Sequence, residues 1–290
     1  MHRLNLLVMV GIAAMLAGCS TSALRVGSYN VRNSWGDRGT ANAWNERKAD
    51  LVALVKSLDL DVFGMQEVNP DQAQYFREQL ADWEFVGDHR EADRISGEAS
   101  PVFYRKSRFE PLKTGTFWLS ETPDVPASKS WGTACTRVCS YLVLRDRRTE
   151  RTFCFANTHT DHISAEAREK GMLLIIERMR EFGAGSPIIF TGDHNCPHDA
   201  APAVAVRKVL NDARDLCSTP DPGPVNTYHG FGKHLAAADF KDGDPNGLRI
   251  DYIYVSDGVK VLDFRTIGDR RPGSDLFPSD HFPVTATVEL

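Results

Sequence analysis

The chain has no surplus of positive charge. Its 34 Lys and Arg stand against 39 Asp and Glu, a formal net charge of −5. A general nucleic-acid binder needs a positive surface to displace counterions, so nucleic acid is not the favoured partner. A small phosphorylated substrate is not excluded, because one bound cation supplies local positive charge that this arithmetic omits. The six cysteines include no Cys-x-x-Cys pair, which argues against a structural zinc site. With 22 Gly and 15 Pro in 290 residues, collagen-like and low-complexity chains are excluded. There is no internal repeat and no interdomain linker. Beyond the first twenty residues no stretch approaches the apolar length of a membrane-spanning helix.

What the chain does carry at its start is a processing signal. Arg3 gives a positive n-region, and Leu4 to Leu16 is a mostly apolar run of signal-peptide length. The run ends in Leu16-Ala17-Gly18-Cys19, which resembles a bacterial lipobox. The resemblance implies cleavage before Cys19, lipidation of its thiol and a membrane partner reached through that anchor. Ser20 in the next position points to the outer membrane, with the protein facing the periplasm of a bacterial cell envelope. Residues 1–18 then read as a leader, 19–23 as a tether and 24–290 as one domain, expected to be a monomer. The remaining Cys135, Cys139, Cys154, Cys196 and Cys217 are odd in number, so at least one is unpaired, and their pairing is left open.

Periodicity sketches the elements. Alternation predicts a strand over residues 23–31, and helical spacing of Leu51, Val52, Leu54, Val55 and Leu58 predicts a helix over 44–58. A short apolar strand follows over 61–65, a helix over 70–80, and strands over 102–105 and 109–119. Residues 133–144 and 152–159 read as a hairpin around a charged turn. The clearest amphipathic helix covers 164–182, with Ser164 as its cap and Gly183 as its stop. A buried strand over 187–191, a helix over 201–210, long loops over 218–247, and strands over 248–255, 259–266 and 282–288 complete the chain. Strands and helices alternate without a strict βαβ beat, which favours an α/β fold with mixed sheets.

One regularity bears on function. Polar residues suited to a metallohydrolase fall at or near the C-terminal ends of the predicted strands or in the loops beside them: Asn30, Glu67, His159, and Asp193 with Asn195. Asp251 opens a strand, and Asp280 and His281 precede one. Each alone has an ordinary explanation as a turn, cap or structural residue. Together, at strand ends that gather around a common mouth, they point to a catalytic site.

The segments SYNVR, MQEV, NTHTDH, TGDHN, DYIYV and SDHFPV, in that order, resemble the endonuclease/exonuclease/phosphatase superfamily over about residues 25–290. FYRKSRFE, GTFWLSETPD, SWGTACTRVC and TYHGF resemble its secreted bacterial branch. The fold this implies is a four-layer α/β/β/α sandwich of two mixed β-sheets flanked by helices. The resemblance assigns Glu67 and Asn30 to a metal, with Asp280 joining through water. His281 becomes the catalytic histidine, Asp251 its orienting carboxylate, and Asp193 the group that positions or deprotonates the attacking water. Asn195 and His159 become donors to phosphoryl oxygens, with Asp161 and His162 supporting His159. Arg137 lies in a segment resembling a substrate-side strand and is expected to meet a phosphate. Tyr228 and His229 are expected at the substrate. In the TGDHN segment the family usually has an apolar residue where this chain has His194, which is expected to face the core or pack beside the site.

The chemistry is consistent with hard-oxygen metal ligands. A divalent cation neutralises phosphoryl charge and stabilises the leaving oxygen, and Mg²⁺, or Mn²⁺ in its place, suits carboxylate and amide oxygens. The expected activity is metal-dependent hydrolysis of a phosphomonoester or small phosphodiester by water, acting on a phosphorylated small molecule. The alternatives on the same scaffold are a secreted nuclease, a phospholipase or sphingomyelinase-like enzyme, and a non-catalytic binding lipoprotein.

Overall fold

A computed structural model of the chain describes residues 22–235 and 248–290. The leader, Cys19 and part of the long 218–247 loops lie outside the described residues. In chain order the elements are β1 (Leu24–Asn30), α1 (Trp44–Ser57), β2 (Val62–Gln66), α2 (Pro70–Gln79), β3 (Trp83–Val86), β4 (Val102–Arg105), β5 (Phe109–Trp118) and β6 (Val138–Asp146). They continue with β7 (Thr152–His159), α3 (Ala165–Gly183), β8 (Ile188–Asp193), α4 (Ala201–Arg207), β9 (Asn211–Asp212), α5 (Ala213–Leu216), β10 (Asp251–Val255), β11 (Lys260–Thr266) and β12 (Val284–Glu289).

The strands form two six-stranded sheets, ordered β11-β12-β1-β2-β4-β3 and β5-β6-β7-β8-β10-β9. Both are mixed: β1 and β2 pair in parallel, as do β7 and β8, and the other pairs are antiparallel. Three apolar cores define the layers. Leu51, Val52 and Val55 of α1 and Phe76 of α2 pack on Phe63, Met65 and Phe103 of the first sheet. Met172, Ile175, Ile176 and Met179 of α3 pack on Cys154, Ala156 and Phe190 of the second. Between the sheets lie Val26, Val62, Phe155, Ile189, Ile253 and Val255. The result is the α/β/β/α sandwich that the motif resemblance implies.

Strand alternation places the site, because successive side chains point to opposite faces. Along the inter-sheet face the sequence grades from apolar to polar. Val26 is followed by Ser28 and Asn30, Phe155 by Asn157 and His159, and Ile189 by Thr191 and Asp193. The middle rung is a buried polar layer: the Gln66 amide donates to Ser28 Oγ at 3.0 Å and to Asn157 Oδ1 at 2.7 Å, and Thr191 Oγ1 donates to the same oxygen at 3.1 Å. Gly64 is required here, since a Cβ there would stand 2.1 Å from the Asn157 side chain. Linked hydrogen bonds order this layer, and it is the floor of the site above.

The structure moves several predicted boundaries. The strand expected to begin at residue 133 starts at Val138, because Asp161 Oδ1 captures Thr133 Oγ1 and the Ala134 N–H. Ser164 caps α3 as expected, accepting from Ala167 N at 3.1 Å. Gly183 is not its stop: it is the last helical residue, packed so tightly on Cys154 that a Cβ would meet Sγ at 2.1 Å, and Ala184 takes the left-handed turn at φ 48°. The four-residue edge strand β3 and the short β9 and α5 have no periodic signal of their own. The five described cysteines are free.

Candidate active site

The polar ends of β1, β7, β8 and β10 meet where the two sheets face each other. Register brings them side by side: His159 and Asp251 each lie opposite Asp193 in neighbouring strands, and Asn30 lies opposite Gln66. The Pro278–His281 segment closes the ring, fastened by Ser279 Oγ donating to the Asn30 carbonyl at 2.7 Å. These residues open into a cavity of about 500 Å³ lined by Glu67, His159, Asp193, Asn195, Asp280 and His281, among others.

Asp193 Oδ2 is the hub. It accepts from the Asn30 amide at 2.9 Å, and the Nε2 atoms of His159 and His281 lie 3.5 and 3.7 Å away. Asp193 Oδ1 accepts from the Asn195 N–H at 2.9 Å. His281 Nδ1 sits 2.8 Å from Asp251 Oδ2, and since an ionised carboxylate only accepts, the ring donates. That pairing fixes the imidazole and leaves Nε2 facing Asp193. The Asn30 amide also donates to Glu67 Oε1 at 3.0 Å, while Asn33 donates to Glu67 Oε2 through its backbone and its side chain. Glu67 and Asn195 hold left-handed backbone, at φ 63° and 47°. Non-glycine residues in that region cost about 1–3 kcal/mol each and cluster at functional sites.

The charges are strongly coupled to their surroundings. Burial opposes a charged His281, yet Asp251, Asp193 and Asp280 outweigh it and push the imidazole up to about 10. Burial and the neighbouring Asp251 raise Asp193 above the ordinary carboxylate range, against the pull of His281 and its hydrogen bonds. Asp280 is raised too, by burial first. Burial also acts against Glu67, but hydrogen bonds from Asn30 and Asn33, with His281 and Arg32 nearby, hold its carboxyl below its usual value. Burial and then Arg137 drive His159 well below 6.5, so its ring is neutral.

These residues fit a divalent cation. Glu67, Asp193, Asp251 and Asp280 are four buried or near-buried carboxylates, with His281 and Arg32 among the cations beside them. The donors are hard oxygens, the set that Mg²⁺ or Mn²⁺ accepts. A bound dication would relieve the upward pressure that burial and neighbouring carboxylates put on Asp193 and Asp280.

Most of the expected site residues come together, with some corrections. The Asn30 amide nitrogen bridges Glu67 and Asp193, and its side-chain Oδ1 accepts the Arg32 N–H at 3.0 Å. The assignment of that amide follows the hydrogen-bond network. Asp161 does not support His159. It accepts from Thr133, Ala134, Ile163 and Ser164, tying the 131–137 loop to the start of α3. His162 is exposed at the rim, with Nδ1 3.2 Å from Arg137 Nη2, and does not touch His159 either. His229 lies outside the cavity, its ring stacked on Phe282 at 4.0 Å and edge-on to Phe277. Asn195, Arg137 and Tyr228 do line the cavity. Asn195 spends one amide proton on the Thr160 carbonyl, and Tyr228 lies over His281 with ring centroids 5.0 Å apart. His194 faces the core, between Phe190 and the Tyr252 and Tyr254 rings.

Two supporting residues escape sequence reasoning. Asn33 has a faint signal, three positions after Asn30 in the same motif. Arg47 has none: it occupies the buried face of α1, where an arginine reads as a break in the pattern. It is 1% exposed and donates to the carbonyls of Val31, Arg32 and Pro278, stitching the Asn30 loop to the His281 segment.

A sandwich of two mixed sheets with an acid–histidine–acid array at its polar mouth defines a class of phosphoester-cleaving scaffold. The model of the Endonuclease/Exonuclease/phosphatase family matches residues 27–281, and the chain belongs to that family. Members of the family are hydrolases of phosphoester bonds and generally use divalent metals. Among solved structures, the endonuclease/exonuclease/phosphatase from Bacteroides vulgatus is 30% identical with a TM-score of 0.85, covering 93% of this chain and 100% of that one. A mannosyl-6-phosphatase from Bacteroides thetaiotaomicron is 34% identical with a TM-score of 0.81, covering 92% of this chain and 100% of that one. Among curated relatives, the uncharacterized protein L388 of Acanthamoeba polyphaga mimivirus is 25% identical over 160 residues, which span 52% of this chain and 59% of that protein.

Proposed function

We propose that the chain is a divalent-metal-dependent phosphoesterase that hydrolyses a phosphorylated small molecule, a phosphomonoester in the first place, by attack of water. The observation that carries this reading is the continuous array Asp251–His281–Asp193–Asn30–Glu67 facing one cavity. A volume of about 500 Å³ suits a small molecule. The likeness to a mannosyl-6-phosphatase supports a monoester, with a sugar as its alcohol half.

Each residue has a role that its position supports. Asp193 Oδ2, fixed by Asn30, orients the attacking water and takes its proton. His281, held by Asp251, presents Nε2 to a phosphoryl oxygen, where a donor stabilises developing charge. His159 and Asn195 stand beside it as further donors. Glu67 and Asp280 would hold Mg²⁺ or Mn²⁺. When bound, that cation neutralises phosphoryl charge and stabilises the leaving oxygen. Lipid anchorage through Cys19 to a bacterial envelope belongs to the same proposal and rests on the sequence.

The test is hydrolysis by the full chain of monoesters, read as released phosphate, and of diesters, read as the released alcohol or shortened product, with Mg²⁺, Mn²⁺ or EDTA. Metal-dependent phosphate release from monoesters, abolished by EDTA, is the expected result. Cleavage confined to DNA or to a phospholipid contradicts the substrate class. Protein that binds Mg²⁺ yet cleaves no phosphoester contradicts the reaction.

A further inference from the structure

One wall of the cavity has no part in the array described above. The segment joining β3 to β4 folds into a small hairpin: His89 N–H donates to the Arg94 carbonyl and Arg90 N–H to the Glu98 carbonyl, each at 3.0 Å. His89 Nδ1 lies 2.8 Å from the Gly97 carbonyl, and Trp118 Nε1 donates to the Arg90 carbonyl at 2.7 Å. The backbone of both Arg90 and Glu98 is therefore fixed. Their side chains meet at the cavity wall, Arg90 Nη1 donating to Glu98 Oε2 at 2.6 Å, with Arg137 Nη1 4.0 Å from the same oxygen. Buried Nε atoms of Arg90 and Arg137 have no hydrogen-bond partner.

We propose that Arg90 and Glu98 are specificity-determining residues that bind the hydroxyl groups of a polyhydroxylated leaving group, the alcohol half of the phosphomonoester. This rests on the phosphomonoesterase reading above and deepens it. The chemistry of the wall selects among ligands. An apolar leaving group would strip water from the Arg90–Glu98 pair and leave the Nε atoms of Arg90 and Arg137 without a partner, which is costly. A second phosphate would meet the Glu98 carboxylate, with Glu91 3.6 Å from Arg90 behind it. A polyol satisfies both signs: its O–H groups donate to Glu98 and its oxygens accept from the guanidiniums. A site built to hydrogen-bond hydroxyls also rejects analogues that lack them.

The experiment compares kcat/KM for mannose 6-phosphate and phenyl phosphate, with saturating Mg²⁺, in the wild type, Glu98→Gln and Arg90→Lys. Both variants are expected to lose about 10- to 100-fold on mannose 6-phosphate, mainly through KM, and less than about threefold on phenyl phosphate. Equal losses on both substrates mean a structural role and overturn the proposal. So does unchanged activity on both. A wild type that hydrolyses neither phosphomonoester overturns the functional reading itself, and this inference with it.

Discussion

Asp193 and His194 are neighbours in sequence and belong to different proteins in effect. Asp193 points between the sheets, into a ring of hydrogen-bond donors and charges. His194 points to the other side of the second sheet, among Phe190, Tyr252 and Tyr254, with both ring nitrogens unpartnered. The comparison extends to the histidines. His194 and His281 are both buried, at 0% and 5% exposure. Burial alone pulls His194 down to about 3, whereas three carboxylates push His281 up to about 10. Depth does not decide what a histidine does here. The groups facing it do.

The largest effect expected from disturbing this contrast is on the inner face. His281→Ala removes the paired imidazole and lowers kcat by about 10³-fold or more, measured on any phosphoester the wild type turns over. Asp251→Asn leaves the ring in place but removes the carboxylate charge that holds Nδ1–H and its tautomer. It is expected to lower kcat by about 10²-fold or more, with the fold intact by circular dichroism.

On the outer face the expected effect is on stability. His194 stays neutral in the folded chain well below its ordinary 6.5, so between about 3 and 6.5 the unfolded chain binds the extra proton. Stability therefore falls as pH falls through that window. His194→Phe removes this contribution, and urea unfolding should show its advantage over the wild type growing by up to about 1.4 kcal/mol per pH unit below 6.5. Above about pH 7.5 the difference should stop changing with pH. The smallest effect belongs to neither face: Ser164→Ala deletes the cap of α3 and should cost about 1 kcal/mol in the same assay, with little change in activity.

Much of this is legible in the sequence because strand ends carry it. An apolar alternating run fixes which face is buried, and the polar residue one step past the run then lands at the mouth. That logic places His159 and Asp193, motif resemblance places Asp251 at the start of one strand and His281 just before another, and the capping pattern places Ser164. It does not reach Arg90 and Glu98, which lie in a loop whose hairpin depends on pairing with distant Val68 and Trp118. Arg47 is hidden because nothing in a helical pattern says that a buried arginine will find five backbone carbonyls. For Asn30 the motif gives the place beside Glu67 and Asp193 and not the orientation of the amide. Which end of its amide faces Glu67 is decided by the Arg32 N–H, a local turn that motif spacing does not encode. His229 fails for a related reason: the TYHGF segment names both Tyr228 and His229, and only the backbone decides which one turns toward His281.

The central claim is that function lies on the inner face alone. It is tested most directly by assaying Asp193→Asn and His194→Phe side by side for Mg²⁺-dependent phosphoester hydrolysis at neutral pH. The account predicts that Asp193→Asn loses about 10³-fold or more in kcat/KM while His194→Phe stays within about threefold of the wild type. An active Asp193→Asn, or an inactive but folded His194→Phe, would contradict it.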